Sequence, residues 1–179
     1  MQAPERIETS RLTLRRPRRT DGDAIFSRFA SDPEVTRYVG WPMHRSIENT
    51  QGFLGFSDAQ WQQSGVGPYL IELRAADTVI GTTGLQLETV QIASTGYVLA
   101  RDSWGHGFAG EALVAMVALA RALGIGRVQA LCHPDHRASQ RVLEKCGFTR
   151  QGVLPTHVEF PNLGTVGPQG VVCYGVSLS

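Results

Sequence analysis

A chain of 179 residues fits one ordinary domain, 1–179, with a single core that needs no disulfide or metal staple. Its 42% hydrophobic and 18% charged residues exclude a disordered chain, and a formal net charge of +1 offers no field for binding bulk nucleic acid or an anionic membrane. Cys132, Cys146 and Cys173, an odd number without CxxC spacing, point to reduced thiols in the cytoplasm. They argue against a disulfide framework or a zinc site. The N-terminus lacks the apolar core of a signal peptide. The longest apolar stretch, Ala112 to Ala120, reaches about half the roughly 20 residues of a membrane span, so a soluble cytoplasmic protein is expected.

In chain order, Ile7 to Arg15 alternates around Leu12 and Leu14 and reads as a first strand. Thr20 and Asp23 resemble a capping box for a helix through about Ala30, with Ile25, Phe26 and Phe29 as its apolar face. Asp32-Pro33 starts a turn, Gly40-Trp41-Pro42 breaks the chain, and Ser46 caps a second helix through about Gln63. Tyr69 to Arg74 and Val79 to Leu87 read as paired strands joined around Ala76-Asp77. Gly81 and Gly84 mark bulges or close backbone approach. Gly96 to Ala100 is a short strand, and Phe108 to Leu123 repeats apolar residues at helical spacing before Gly124. A strand from Val128 to Cys132 precedes a helix from Pro134-Asp135 to Gly147. The tail from Phe148 carries turn residues and a last strand, Val171 to Val176.

The strand ending at Leu99, the glycine turn and the long helix form an arrangement in which unpaired amides and a helix dipole converge on an anion such as pyrophosphate. Gly105 and Gly107 admit phosphate oxygens to the backbone, and Ala109 keeps the next position small. No lysine follows in P-loop register. Gly105-His106-Gly107-Phe108-Ala109-Gly110 supplies GxGxxG, but the elements do not alternate as the βαβ units of a dinucleotide fold.

Trp104-Gly105-His106-Gly107-Phe108-Ala109 resembles the W-G-x-G-[YF]-A acetyl-CoA motif of the GNAT acetyltransferases, RimJ/RimL-like branch, and Glu111-Ala112 continues it. Ser139-Gln140-Arg141-Val142-Leu143-Glu144-Lys145-Cys146-Gly147-Phe148 is similar to the second hallmark, S-x-R-V-L-E-K-x-G-F. Thr9-Ser10-Arg11-Leu12-Thr13-Leu14-Arg15 and Ile80-Gly81 match in the same order. The resemblance implies an α/β (α+β) GNAT fold. Its mixed, twisted sheet of about seven strands is flanked by about four helices and splayed between strands ending near Leu99 and Cys132. It further implies that acetyl-CoA enters that fork as co-substrate, with no metal. The pantetheine arm would lie along Tyr97, Val98 and Leu99, and the pyrophosphate against the segment of Trp104, Gly105, His106, Gly107, Phe108, Ala109 and Gly110. His136 stands where many relatives have asparagine, and Gly110 where threonine is frequent. His136 would donate to the pantetheine, titrate or face solvent, and His106 occupies a variable position.

Acetyl transfer needs a neutral amine, a polarised carbonyl and a proton for the departing thiolate. Glu72 and Glu88, on or beside central strands, are the first candidate bases; solvated strand-edge charges describe them as well. The resemblance puts the Ser139 hydroxyl near the coenzyme sulfur, although Ser139 or Asp135 could equally cap the helix. Tyr174 is a second candidate acid, or a core residue. Tyr38, Trp41 and Met43, in the segment that overhangs the acceptor side in this family, would line an acceptor pocket or simply pack. Phe160-Pro161-Asn162 would close its other wall. The expected activity is acetylation of a primary amine, on a protein N-terminus or a small molecule. A homodimer stays open. The competing descriptions are a non-catalytic acyl-CoA-binding module and a nucleotide-binding oxidoreductase.

Overall fold

Leu12 and Leu14, both fully buried, anchor the N-terminal strand pair to the rest of the sheet. The computed structural model describes residues 2–178. The single strand expected from Ile7 to Arg15 is two, β1 (Arg6–Glu8) and β2 (Leu12–Arg15), paired antiparallel. They are separated by a turn in which the Thr9 and Leu12 backbones hydrogen-bond and Thr9 Oγ1 accepts from the Leu12 amide at 3.0 Å. Helix α1 (Gly22–Ile25) runs into a π-turn over Phe26–Ala30. It starts after a 3-10 turn rather than at a Thr20/Asp23 capping box, because the Asp21 carboxylate takes the Arg18 amide at 2.6 Å.

Asp32 accepts from the amides of Glu34 and Val35, turning the expected Asp32-Pro33 turn into a short helix, α2 (Pro33–Thr36). Helix α3 (Ile47–Ser64) begins after Ser46 as anticipated and closes on left-handed Gly65. Strands β3 (Pro68–Leu73), β4 (Thr78–Leu87) and β5 (Ile92–Leu99) form a meander. Helix α4 (Phe108–Ala122) then crosses to β6 (Arg127–Cys132), α5 (Arg137–Lys145) follows, and β7 (Thr149–Val158) and β8 (Gln169–Ser177) complete the chain. The single sheet has the order β1-β2-β3-β4-β5-β6-β8-β7, and every neighbouring pair is antiparallel except β5 and β6.

The sheet is covered on both sides. Tyr69, Ile71, Ile80, Leu85 and Val128 pack with Leu113 and Met116 of α4 in one core. The alternate residues Leu70 and Val79 pack with Ile25, Phe29 and Leu54 of the N-terminal helices in the other. Near the rim of the sheet, Arg15 on β2 reaches two carboxylates. It donates two hydrogen bonds to Asp21, at 2.8 and 2.7 Å, and one to Glu72 at 2.8 Å.

The family resemblance implied about seven strands and four helices; the structure has eight and five. The additional strand at the C-terminal edge is β7. Its residues are exposed until Val158, and Thr156 stands at φ 52 beside a register shift. It therefore lacks the alternation that announces a half-buried strand.

Candidate active site

Between β5 and β6 the parallel ladder contains three residue pairs, ending at Ser94 with Gln129. Beyond this point the strands diverge, so the edge of β5 from Thr95 to Leu99 that faces β6 has no strand partner. The fork opens into a cleft of about 1690 Å³. Its walls include Tyr97, Val98 and Leu99, the turn residues Trp104, Gly105, Gly107, Phe108, Ala109 and Gly110, and Ser139.

Gly105 and Gly107 adopt φ of 78° and 80°, the left-handed region that side chains make costly. Gly107 is the N-cap of α4, so the first free amides of a 15-residue helix lie at the turn and can receive an anion. Trp104 pins the turn to the strand before it, its Nε1 donating to the Leu99 carbonyl at 2.8 Å.

A second restraint arrives from the N-terminal hairpin. The Glu111 carboxylate accepts from Thr9 Oγ1 (2.6 Å), Ser10 Oγ (3.1 Å), the Arg11 amide (2.8 Å) and Arg11 Nε (2.7 Å). Burial opposes its ionisation, yet these donors hold Glu111 down at about 2. Arg11 also donates to the His106 carbonyl at 2.9 Å and lies over the Phe108 ring at 4.6 Å. The matching motif Thr9 to Arg15 therefore acts on the glycine turn from outside it, a role its sequence position did not indicate.

Ser139 is the third residue of α5. Neither it nor Asp135 caps the helix: the N-cap is His136, without a side-chain cap bond. Instead Ser139 Oγ lies 3.0 Å from the Tyr97 hydroxyl, which also lies 3.2 Å from the Ser139 carbonyl. Burial pushes the Tyr97 phenol well above its ordinary value, against a smaller lowering by Ser139, so the hydroxyl keeps its proton at neutral pH.

The two carboxylates named from sequence do not reach the cleft. Glu72 is bound by Arg15, and Glu88 is exposed at the β4–β5 turn, accepting from Ser94 Oγ at 2.7 Å. Tyr174 is fully buried, its hydroxyl donating to Glu144 at 2.8 Å away from the cleft wall. The alternation along β8 marks its core character, whereas nothing in the sequence tells which side of the sheet the fork exposes.

Of the residues expected to form an acceptor pocket, Tyr38, Trp41 and Phe160 line the cleft and Met43 does not; His106, expected with the coenzyme turn, does not line it either. Asn162 ties the two walls together. Its Nδ2 donates to the carbonyls of Thr36 and Trp41 (2.7 and 2.9 Å), and its Oδ1 accepts from the Met43 amide at 2.9 Å. The Tyr38 ring stacks on His133 and His136 with centroids 4.9 and 4.8 Å apart, and Phe160 meets His133 edge-on at 4.8 Å. Burial, and to a smaller extent His133, lowers the imidazolium of His136 below its ordinary 6.5. His133 went unnamed in the sequence because a histidine closing a strand has no motif to mark it.

The three cysteines are free. Among the described residues no group of three or more His, Cys, Asp or Glu side chains is placed to hold a metal ion, and no helix is long and apolar enough to cross a membrane.

A mixed sheet forked at its parallel pair, with a glycine turn and helix N-terminus at the mouth of the fork, defines the α+β class of acetyl-transfer folds. The acetyltransferase (GNAT) domain profile matches residues 11–149, and the chain belongs to that family as a RimJ/RimL-type GNAT N-acetyltransferase. It is 36% identical over 151 residues to the uncharacterised N-acetyltransferase YoaA of Bacillus subtilis, covering 83% of this chain and 85% of that one. Among solved structures the fold is similar to the microcin self-immunity acetyltransferase MccE in complex with acetyl-CoA and AMP (TM-score 0.85, 19% identity, 97% of each chain). It is also similar to the ribosomal-protein α-N-acetyltransferase RimL in complex with coenzyme A (TM-score 0.83, 20% identity, 97% of this chain and 98% of that).

Proposed function

We propose that the protein transfers the acetyl group of acetyl-CoA to a primary amine, on a protein N-terminus or a small molecule, in the cleft between β5 and β6. The observation that carries this reading is the fork itself: an unpartnered strand edge leads from the left-handed glycines of the turn to the Tyr97–Ser139 hydroxyl pair. The complexes named for MccE and RimL, with acetyl-CoA and coenzyme A, support the same ligand class.

In this reading the free edge of Tyr97, Val98 and Leu99 holds the amides of the pantetheine arm, and the amides of Gly105 to Gly110 hold its pyrophosphate. Acetyl-CoA supplies an activated thioester. Ser139 donates a hydrogen bond toward the sulfur, and Tyr97, protonated at neutral pH, orients that hydroxyl. The fully buried Tyr174, bonded to Glu144, takes no part.

Thiol release from acetyl-CoA over a panel of amines, alongside calorimetric binding of coenzyme A, tests the assignment. Ser139→Ala is expected to lower kcat about 10²-fold with little change in acetyl-CoA KM; unchanged turnover would remove Ser139 from the mechanism. Binding without transfer to any amine would leave an acyl-CoA-binding module.

Trp41, half-buried on the cleft wall beside His44, belongs in this reading to the acceptor pocket. Trp41→Ala is expected to raise acceptor KM roughly tenfold and acetyl-CoA KM far less. Equal effects on the two constants would place Trp41 in the core alone.

A further inference from the structure

An ammonium must lose a proton before its nitrogen can attack, and the carboxylates of the cleft wall are poorly placed to take it. Glu8 is paired with Arg6 and Arg74, Glu111 is held by the Thr9–Arg11 hairpin, and Glu34 is exposed on α2. The two imidazoles on the wall differ from each other. His133 Nδ1 accepts the Asp135 amide at 3.1 Å, so that lone pair is engaged and Nε2 carries the hydrogen. His133 cannot take a proton there without breaking the bond. Neither ring nitrogen of His136 has a hydrogen-bond partner among the described residues. Its ring is held against Tyr38 at 4.8 Å, one helical turn before Ser139.

We propose that His136 takes the proton from the incoming ammonium. This deepens the acetyl-transfer reading above and rests on it. One N–H bond of the ammonium breaks and one forms on the free imidazole nitrogen. The proton then passes to solvent, and the amine is left with a lone pair. No other reactant is needed. The second ring nitrogen remains free to donate to the pantetheine arm.

Burial and the neighbouring His133 keep His136 neutral at pH 7, ready to accept a proton. The groups around His136 are Tyr38, with Arg37 over its ring at 5.3 Å; His133 and Cys132 at the end of β6; Asp135, whose carboxylate is 4.0 Å from His133 Nδ1; and Arg137. The Cys132 thiol donates to the His136 carbonyl at 3.6 Å, and Arg137 donates to Gln140. Of these neighbours it is His133 whose charge disfavours the imidazolium, in addition to burial.

The test compares wild type with His136→Asn, which keeps a donor for the pantetheine but cannot take a proton. The acceptors are glycinamide and n-butylamine, and calorimetry supplies the coenzyme A Kd. In the protein without coenzyme, the His136 ring resonance, identified by its loss in the variant, is expected to titrate below 6.5. In wild type, kcat/KM for glycinamide is expected to fall through the same midpoint as pH drops. His136→Asn is expected to keep Kd within about threefold and lose roughly 10²-fold in kcat/KM at pH 7. It should also lose the acid limb and recover much of its rate near pH 9, where the amine deprotonates unaided. A variant within twofold of wild type with the same acid limb overturns the base assignment while acetyl transfer stands. Wild type that binds coenzyme A but releases thiol with neither amine overturns both this proposal and the reading beneath it.

Discussion

Arg15→Ala is expected to lower the unfolding free energy by about 3–5 kcal/mol, because it leaves two enclosed carboxylates without their cation. The side chains of Arg15, Asp21 and Glu72 are 10%, 10% and 14% exposed, too little for water to replace the guanidinium. Burial alone would raise Asp21, but the hydrogen bonds from Arg15 and the Arg18 amide hold it below 3.8. A carboxylate lowered on folding contributes stability above its unfolded value of about 3.8 and loses it as pH falls through the folded value. The variant lacks most of this contribution, so the gap between the two proteins should narrow below about pH 4. Urea unfolding at pH 7 and pH 3.5 measures both effects; a loss under about 1 kcal/mol at pH 7 would show that solvent compensates the carboxylates. The network ties β2, β3 and the turn before α1 together, so its loss should reach the hairpin that restrains Glu111.

Gly81→Ala acts on the fork more directly. A Cβ at position 81 would stand 2.0 Å from the Val98 carbonyl oxygen and 3.0 Å from the Leu99 Cα, both backbone atoms that cannot move aside without displacing β5. The expected cost is about 3 kcal/mol or more, at the upper end of overpacking effects. Because Val98 and Leu99 form the proposed pantetheine edge, coenzyme A affinity should fall in the protein that still folds. Gly96→Ala is the control, since a Cβ there meets nothing within 4 Å, and it should change stability by less than about 1 kcal/mol. Thermal unfolding and coenzyme A titration of both variants read the difference; equal effects would mean that the close approach at Gly81 is relieved by local movement.

Most of the helices and central strands could be read from the sequence because their signals are local. Helix α4 shows apolar residues at helical spacing, Gly124 and Gly147 stand at left-handed helix ends, and Gly81 occupies the close contact that glycine in a strand announces. Strand β7 was missed for the opposite reason, an exposed edge with no buried face to pattern its residues. The glycine turn and Ser139 could be placed on the cleft wall from motifs, because each lies within one short contiguous segment. Glu72 and Glu88 lie off the cleft wall, which strand alternation could not tell, since it gives the face of a strand but not what covers it; here Arg15 and Ser94 bind them. The His133–Tyr38–His136 stack and the Asn162 tie join residues nearly 100 or more positions apart, and no periodicity encodes such meetings.

The unpartnered edge of β5 has a consequence for how the site can vary. If main-chain N–H and C=O groups read the donor, alanine substitutions along Thr95 to Leu99 remove none of those contacts, and a scan of coenzyme A affinity there would be nearly silent even though Tyr97 would register in turnover through Ser139. Substitutions that bend the backbone would register instead, so a mutational map of donor recognition should light up at glycines and stay dark at the residues nearest the ligand. The partly exposed Thr95 and Val98 side chains are then free to drift toward new acceptors while the donor stays the same.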